Sequence, residues 1–183
     1  MRNYTEILQG VLSTVHTALD DAGRPPGRAE LVPGLRPAWD DCCDGQLYLR
    51  VIEVYPTAGS NAPFPQIDTQ QRGAAGGLCA IHGVAVHIGV GVIRCVATIR
   101  DDGSAPSPEE VSADGDLMLK DMDTLLDALL CKVPQADFYT SAIHGLKMDR
   151  WQPQGAEGGC AGGEWGVYLW IDPCLCTPLP SER

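Results

Sequence analysis

One stretch constrains this chain more than any other. From Ala80 to Ile99 it runs AIHGVAVHIGVGVIRCVATI, mostly β-branched and small residues. Branched side chains fit a pleated surface and lose freedom in a helix, so the run predicts a long strand. Its most apolar part, Val84 to Ile99, contains His87 and Arg94 and falls short of the roughly 20 apolar residues a membrane helix needs. Gly83, Ala85, Gly89, Gly91 and Ala97 interrupt the branched residues. Glycines inside a strand predict a bulge or a second backbone packed close. Gly89-Val90-Gly91 superficially matches the start of a dinucleotide fingerprint. It lacks the third glycine and the strand-to-helix turn that would present a pyrophosphate to backbone N–H groups.

Around this strand the pattern alternates between helix and sheet. Ile7, Leu8, Val11, Leu12, Val15 and Leu19 form one helical stripe, begun at Thr5 and stopped by Gly23 and Pro25-Pro26. Residues 24–46 read as a long ordered loop pinned by Leu31, Val32, Leu35 and Trp39. Leu47 to Tyr55 alternates as a strand with both faces at least partly covered. Residues 56–78, with Pro63-Phe64-Pro65 and Gly73 to Gly77, read as a second long loop of the kind that carries function or orders on a partner. Ser107-Pro108-Glu109-Glu110 opens a helix running through Leu117, Met118, Leu125 and Leu129 to Lys132; Gly115 divides off its first turn and Pro134 ends it. His144 to Gln152 and Glu164 to Ile171 form a closing hairpin with a loose Gly- and Ala-rich tip at 154–163, before an extended tail over 173–183. The expected architecture is a single α+β domain over residues 1–183. Two helices pack on a largely antiparallel sheet in the order α-β-β-α-β-β.

Charge narrows the functional classes. Among 183 residues, 24 Asp and Glu against 13 Lys and Arg give a formal net charge of -11. Gripping nucleic acid needs a cationic footprint, and an anionic membrane surface attracts basic clusters, so both roles are disfavoured. The carboxylates are concentrated. Asp101, Asp102, Glu109, Glu110, Asp114, Asp116, Asp121, Asp123 and Asp127 face a single Lys120 across residues 101–127, a local balance of -8. Asp40, Asp41 and Asp44 form a second acidic knot without the alternating spacing and distal Glu of a calcium loop. A solvated helix face is one reading of the long cluster, and a surface that repels a polyanion is the other.

Catalytic motifs are missing: there is no G-x-S-x-G, H-E-x-x-H or G-x-x-x-x-G-K-[ST]. His16, His82, His87 and His144 are scattered without a carboxylate at triad-like spacing. The eight cysteines are rich for an intracellular chain. The N-terminus runs into an amphipathic helix instead of a signal-peptide core, so synthesis in a cytoplasm and reduced thiols are expected. Cys42-Cys43 and Cys174-Leu175-Cys176 lack the two-to-four-residue spacing of structural zinc sites, although Cys43, Cys174, Cys176 and His82 can meet in space. Buried free thiols are the expected state, with Cys79, Cys95, Cys131 and Cys160 acting as small hydrophobes. Disulfides formed after assembly and a metal site are the alternatives. No cofactor or metal is expected.

Two segments carry a family resemblance. Trp39-Asp40-Asp41-Cys42-Cys43-Asp44-Gly45-Gln46-Leu47-Tyr48-Leu49-Arg50 is one. Arg150-Trp151-Gln152-Pro153-Gln154-Gly155, followed by Gly158-Gly159-Cys160-Ala161-Gly162-Gly163-Glu164-Trp165, is the other. Both resemble segments of small neck and tail proteins of long-tailed actinobacteriophages. In length, N-terminal helix, central sheet and closing hairpin the chain is most similar to the tail terminators of that group.

The resemblance implies a structural virion protein without catalysis. It implies a homohexameric ring that caps the tail tube, stops its polymerisation, and receives the head-side connector or stopper protein. Its partners are then further copies of itself, the major tail tube protein and that connector, and DNA passes through the lumen without specific binding. Some of Asp101, Asp102, Glu109, Glu110, Asp114 and Asp116 are then expected to face the channel. A neighbouring head-to-tail stopper ring is the nearest alternative. A cytoplasmic metal- or thiol-dependent enzyme is the alternative from another class.

Overall fold

The computed structural model describes residues 4–34, 42–56 and 84–171. Helix α1 spans Tyr4–Asp21, β1 Arg28–Val32, β2 Gln46–Pro56 and β3 Val84–Cys95. Helix α2 spans Pro108–Asp127, α3 Asp137–Ala142, β4 Ile143–Glu157 and β5 Cys160–Ile171. The architecture is α+β, with three α-helices and one five-stranded mixed sheet in the order β1-β2-β3-β5-β4. β1 pairs with β2 in parallel, and every other pair is antiparallel.

The expected order α-β-β-α-β-β is therefore corrected by one strand and one helix. β1 falls inside the stretch read as a loop over 24–46. It is five residues long, and a parallel pairing leaves no hairpin signal in the sequence. Helix α3 has only six residues, too few for a periodic pattern. Residues 57–78 and 173–183, read as a long loop and an extended tail, lie outside the described residues.

The strand β3 is buried along almost its whole length. Towards the helices, Val86, Ile88, Val90 and Val92 join Leu47 and Leu49 of β2 and Val167, Leu169 and Ile171 of β5 in one core. The α1 stripe read from the sequence enters this core intact: Ile7, Leu8, Val11, Leu12, Val15 and Leu19 are all buried there. The reading of β2 as covered on both faces holds for its first half alone. At the register shift between Val51 and Glu53 and beyond it, the strand opens: Val51 is 40% and Val54 57% exposed.

Helix α2 starts where the sequence indicates. Ser107 Oγ accepts from Glu110 N at 3.2 Å and Glu110 Oε2 accepts from Ser107 N at 2.7 Å, a reciprocal capping box. Gly115 does not divide the helix, which is continuous from Pro108 to Asp127. It ends sooner than Lys132, because Pro134 supplies no N–H to the α ladder. The chain passes instead through a π turn, Ala128–Lys132, and a 3-10 turn, Val133–Gln135.

The hairpin tip is tight. Strands β4 and β5 are paired up to Glu157 and Cys160, joined by Gly158 and Gly159 with φ of 59° and 83°. Two successive positive φ values define the turn whose twist matches paired strands, and glycine adopts them without a Cβ penalty.

The core and the open helix face make a paired prediction. Leu169→Ala, at a fully buried site, should lower unfolding free energy by about 2–5 kcal/mol. Leu119→Ala, on the exposed side of α2, should stay within about 0.5 kcal/mol of the parent in a urea titration.

Candidate functional site

The acidic stretch over 101–127 is divided by the fold into three kinds of carboxylate. Asp101, Asp102, Glu109, Glu110, Asp116, Asp123 and Asp127 are exposed. Asp114 is half-buried and accepts the Ala97 backbone N–H at 2.7 Å. Asp121 is fully buried, with Arg24 Nε at 2.8 Å on one carboxylate oxygen and Arg94 Nε at 2.6 Å on the other. Arg24 follows α1 and Arg94 lies near the end of β3, so one carboxylate joins three elements. Arg94 Nη2 also donates to the Arg24 carbonyl at 2.8 Å, and Arg24 Nη2 donates to the Lys120 carbonyl at 3.0 Å.

Several exposed carboxylates are occupied locally. Glu110 pairs with Arg100 at 2.7 Å, and Asp116 pairs with Lys120 at 2.5 Å one helical turn away. The Ser107 backbone N–H, with the Arg100 guanidinium second, holds the Glu110 carboxyl below its ordinary range. Ser104 does the same for Asp102. The formal -8 therefore overstates the field at this surface.

The two resemblance segments meet in space. Cys42 is disulfide-bonded to Cys160 across 118 residues of sequence, and Cys43 to Cys95 across 52. These pairs correct the expectation of free buried thiols at four positions. They tie the approach to β2 onto the paired ends of β3 and β5, where Cys95 and Cys160 are register partners. Cys131, expected as a buried hydrophobe, is a free thiol on the surface. Cys79, Cys174, Cys176 and His82 lie outside the described residues, as do Trp39, Asp40 and Asp41.

The remaining signature residues shape the same end of the sheet. Gly45 turns the chain back with φ of 82°, its N–H donating to the Cys42 carbonyl at 2.9 Å. Gln46 is buried and donates to Glu30 of β1. Gly159 accepts the Val96 N–H at 2.9 Å. Pro153 lies opposite Gly163, and the Trp151 indole occupies the space that a Cβ at Gly163 would take. Trp151 and Trp165 pack tilted at 5.7 Å, and Trp165 Nε1 donates to the Met122 carbonyl of α2 at 3.0 Å.

On the sheet face opposite the helices lies a polar layer that sequence spacing did not reveal. Arg50 of β2 pairs with the buried Glu164 of β5, its Nε at 2.9 Å. Tyr48 Oη donates to Glu164 Oε2 at 3.2 Å and accepts from Gln154 Nε2 at 2.7 Å. Burial first, and Glu164 second, raise the Tyr48 phenol well above its usual range. The side chains fit because β3 presents glycine beneath them: a Cβ at Gly91 would lie 2.5 Å from the Tyr48 ring. Further along, His87 stacks on Tyr168 at 4.1 Å, with Glu53 3.5 Å and Asp149 3.9 Å from its two ring nitrogens. Only the β2 alternation hinted that Tyr48 and Arg50 share a face; their partners are over 100 residues away.

The exposed half of β2 borders an apolar groove of about 320 Å³ lined by Tyr4, Leu8, Val51, Val54, Tyr55, Val84 and Val86. Among the described residues no helix is long and apolar enough to cross a membrane. The sequence matches no protein-family model and no curated protein.

Two predictions follow from the charges. Asp121→Asn leaves Arg24 and Arg94 without their shared anion and should cost about 3–5 kcal/mol in a urea titration, whereas Asp116→Asn should cost under about 1 kcal/mol. The carboxyls of Glu110 and Asp102 are depressed in the folded chain, so they stabilise it above their unfolded values, near 4. That contribution is lost as pH falls through the depressed folded values. Thermal scans should show a shallower acid-side loss for Glu110→Gln than for the parent.

Proposed function

We propose that this chain is the ring-forming tail terminator of a long-tailed actinobacteriophage, capping the tail tube and offering its other face to the head-side connector. The observation that carries the reading is the Cys42–Cys160 link. The two segments on which the resemblance rests, remote in sequence, belong to one structural unit at one end of the sheet. A resemblance spread over unrelated surface loops would carry less weight.

Surface chemistry supports assembly through unlike patches. A closed ring needs each subunit to present two different complementary surfaces. The apolar groove beside Val51 and Val54 is one candidate. Val111 and Leu119, exposed on α2, provide another on a different element. The ring then juxtaposes large apolar side chains that a monomer leaves in water.

The acidic surface takes the lumen in this reading. Asp101, Asp102, Glu109 and Asp116 are the exposed carboxylates assigned to it, with Glu110 partly offset by Arg100. Asp114 and Asp121 are assigned structural work instead. Carboxylates along a channel make its potential negative, which raises the energy of phosphates near the wall and keeps DNA from adhering as it passes.

Mass measurement in solution and negative-stain imaging with purified tail tubes test the assembly. Six-membered rings seated on tube ends are expected, as are overlong tubes when the protein is absent. A stable monomer together with tubes of normal, uniform length would falsify the proposal. For the lumen, the combined variant Asp101→Asn, Asp102→Asn, Glu109→Gln and Asp116→Asn should still form rings but retard duplex DNA at low salt. Rings with unchanged indifference to DNA would remove the charge from the mechanism.

A further inference from the structure

The cysteine end of the sheet holds more sulfur than a staple requires. Cys42, Cys43 and Cys95 place their Sγ atoms within 4.8 Å of one another across the two disulfides, and Cys160 Sγ is bonded to that of Cys42. The donors come from three segments: the approach to β2, the end of β3 and the start of β5. Cys42 and Cys160 are buried, Cys95 is half-buried, and Cys43 is exposed.

Mechanically, the second disulfide adds little to the first. Cys95 and Cys160 are already neighbours in the β3–β5 ladder. Once Cys43 is bonded to Cys95, the adjacent Cys42 is held beside Cys160. A disulfide stabilises chiefly by restricting the unfolded chain, and a second link between the same points removes little further freedom. Three sulfurs within 4.8 Å of one another, with a fourth bonded to one of them, match a different requirement. Tetrahedral zinc takes four thiolates at about 2.3 Å, which sets neighbouring sulfurs roughly 3.8 Å apart. The three grouped sulfurs lie close to that spacing, and Cys160, the ladder partner of Cys95, supplies the adjacent fourth thiol.

The chain leaves the ribosome with thiols, not disulfides. We propose that in this reduced form Cys42, Cys43, Cys95 and Cys160 bind one Zn²⁺ in a closed structural site, and that the two disulfides are its oxidised alternative. The states differ by four electrons. Reduction by two equivalents of a dithiol or a phosphine gives four thiols, and zinc then displaces their four protons as four S–Zn bonds form. The metal would hold the approach to β2 on the sheet in a reducing compartment, where disulfides are not maintained. This inference is independent of ring assembly.

The test uses the full chain, reduced and stripped of metal under denaturant, then refolded with Zn²⁺ or Co²⁺. One zinc per chain is expected by elemental analysis, with proton release on binding. Co²⁺ should give an intense thiolate charge-transfer band and tetrahedral visible bands. These spectra read the ligands in the parent chain, so the result does not depend on a variant folding. Cys131→Ala and the double variant Cys174→Ser/Cys176→Ser should retain the band and the stoichiometry. Cys42→Ser and Cys160→Ser should each weaken binding by more than about 100-fold, the upper end of what losing an outer-shell partner costs. A reduced parent chain that gives no charge-transfer band overturns the proposal. So does loss of the band in Cys174→Ser/Cys176→Ser, or undiminished affinity in Cys42→Ser.

Discussion

Because strand β3 buries nearly all of its side chains, the remaining elements are arranged to cover two faces of one strand. The two covers differ in kind. On the helix side, Val86, Ile88, Val90 and Val92 enter the apolar core, and only at the strand's end does Arg94 meet a buried carboxylate, Asp121 of α2. On the other side, β3 offers Gly89 and Gly91, and long side chains from its neighbours fold over them: Tyr48, Arg50 and Glu164. Alternating small and branched residues thus give β3 an oily face and a recessed one. The recess lets an ion pair become buried without a hole in the sheet, since the polar atoms satisfy each other.

The same economy governs the acidic segment. Its carboxylates look equivalent as composition, yet the fold assigns them different work. Asp121 is withdrawn from solvent and gathers Arg24 and Arg94, so that α1, α2 and β3 share a single electrostatic joint. Glu110 closes the helix start, and Asp114 holds the backbone after β3. Only what remains is available to act on a partner. A net charge computed along the chain is therefore a poor measure of the field outside it.

How much was legible follows the range of the interactions. The stripe on α1, the alternation of β2, the branched run of β3 and the start of α2 are local patterns and are found at the residues that carry them, although β3 ends at Cys95 and the run expected to Ile99 leaves the strand there. Strand β1 is not local: Arg28 to Val32 is a strand because β2 accepts it in parallel, and nothing within five residues announces that. The tip at Gly158-Gly159 was blurred because glycine and alanine flank it on both strands, where Gly163 leaves room for Trp151 and is no sign of looseness. The cysteines show the same limit. Adjacent Cys42-Cys43 is an odd spacing when read along the chain, and becomes intelligible once β3 and β5 bring Cys95 and Cys160 together.

Among the described residues the sheet ends on two very unequal borders. β1 offers five residues, and β4 offers fifteen. The longer border carries Pro153, which has no N–H to give, and its pairing with β5 slips at three places. An incoming strand would find an interrupted ladder there and a short one at β1, so these two borders disfavour a sheet continued from molecule to molecule. Backbone pairing between copies is thereby disfavoured at these two borders, which leaves side chains to set the order of an association there.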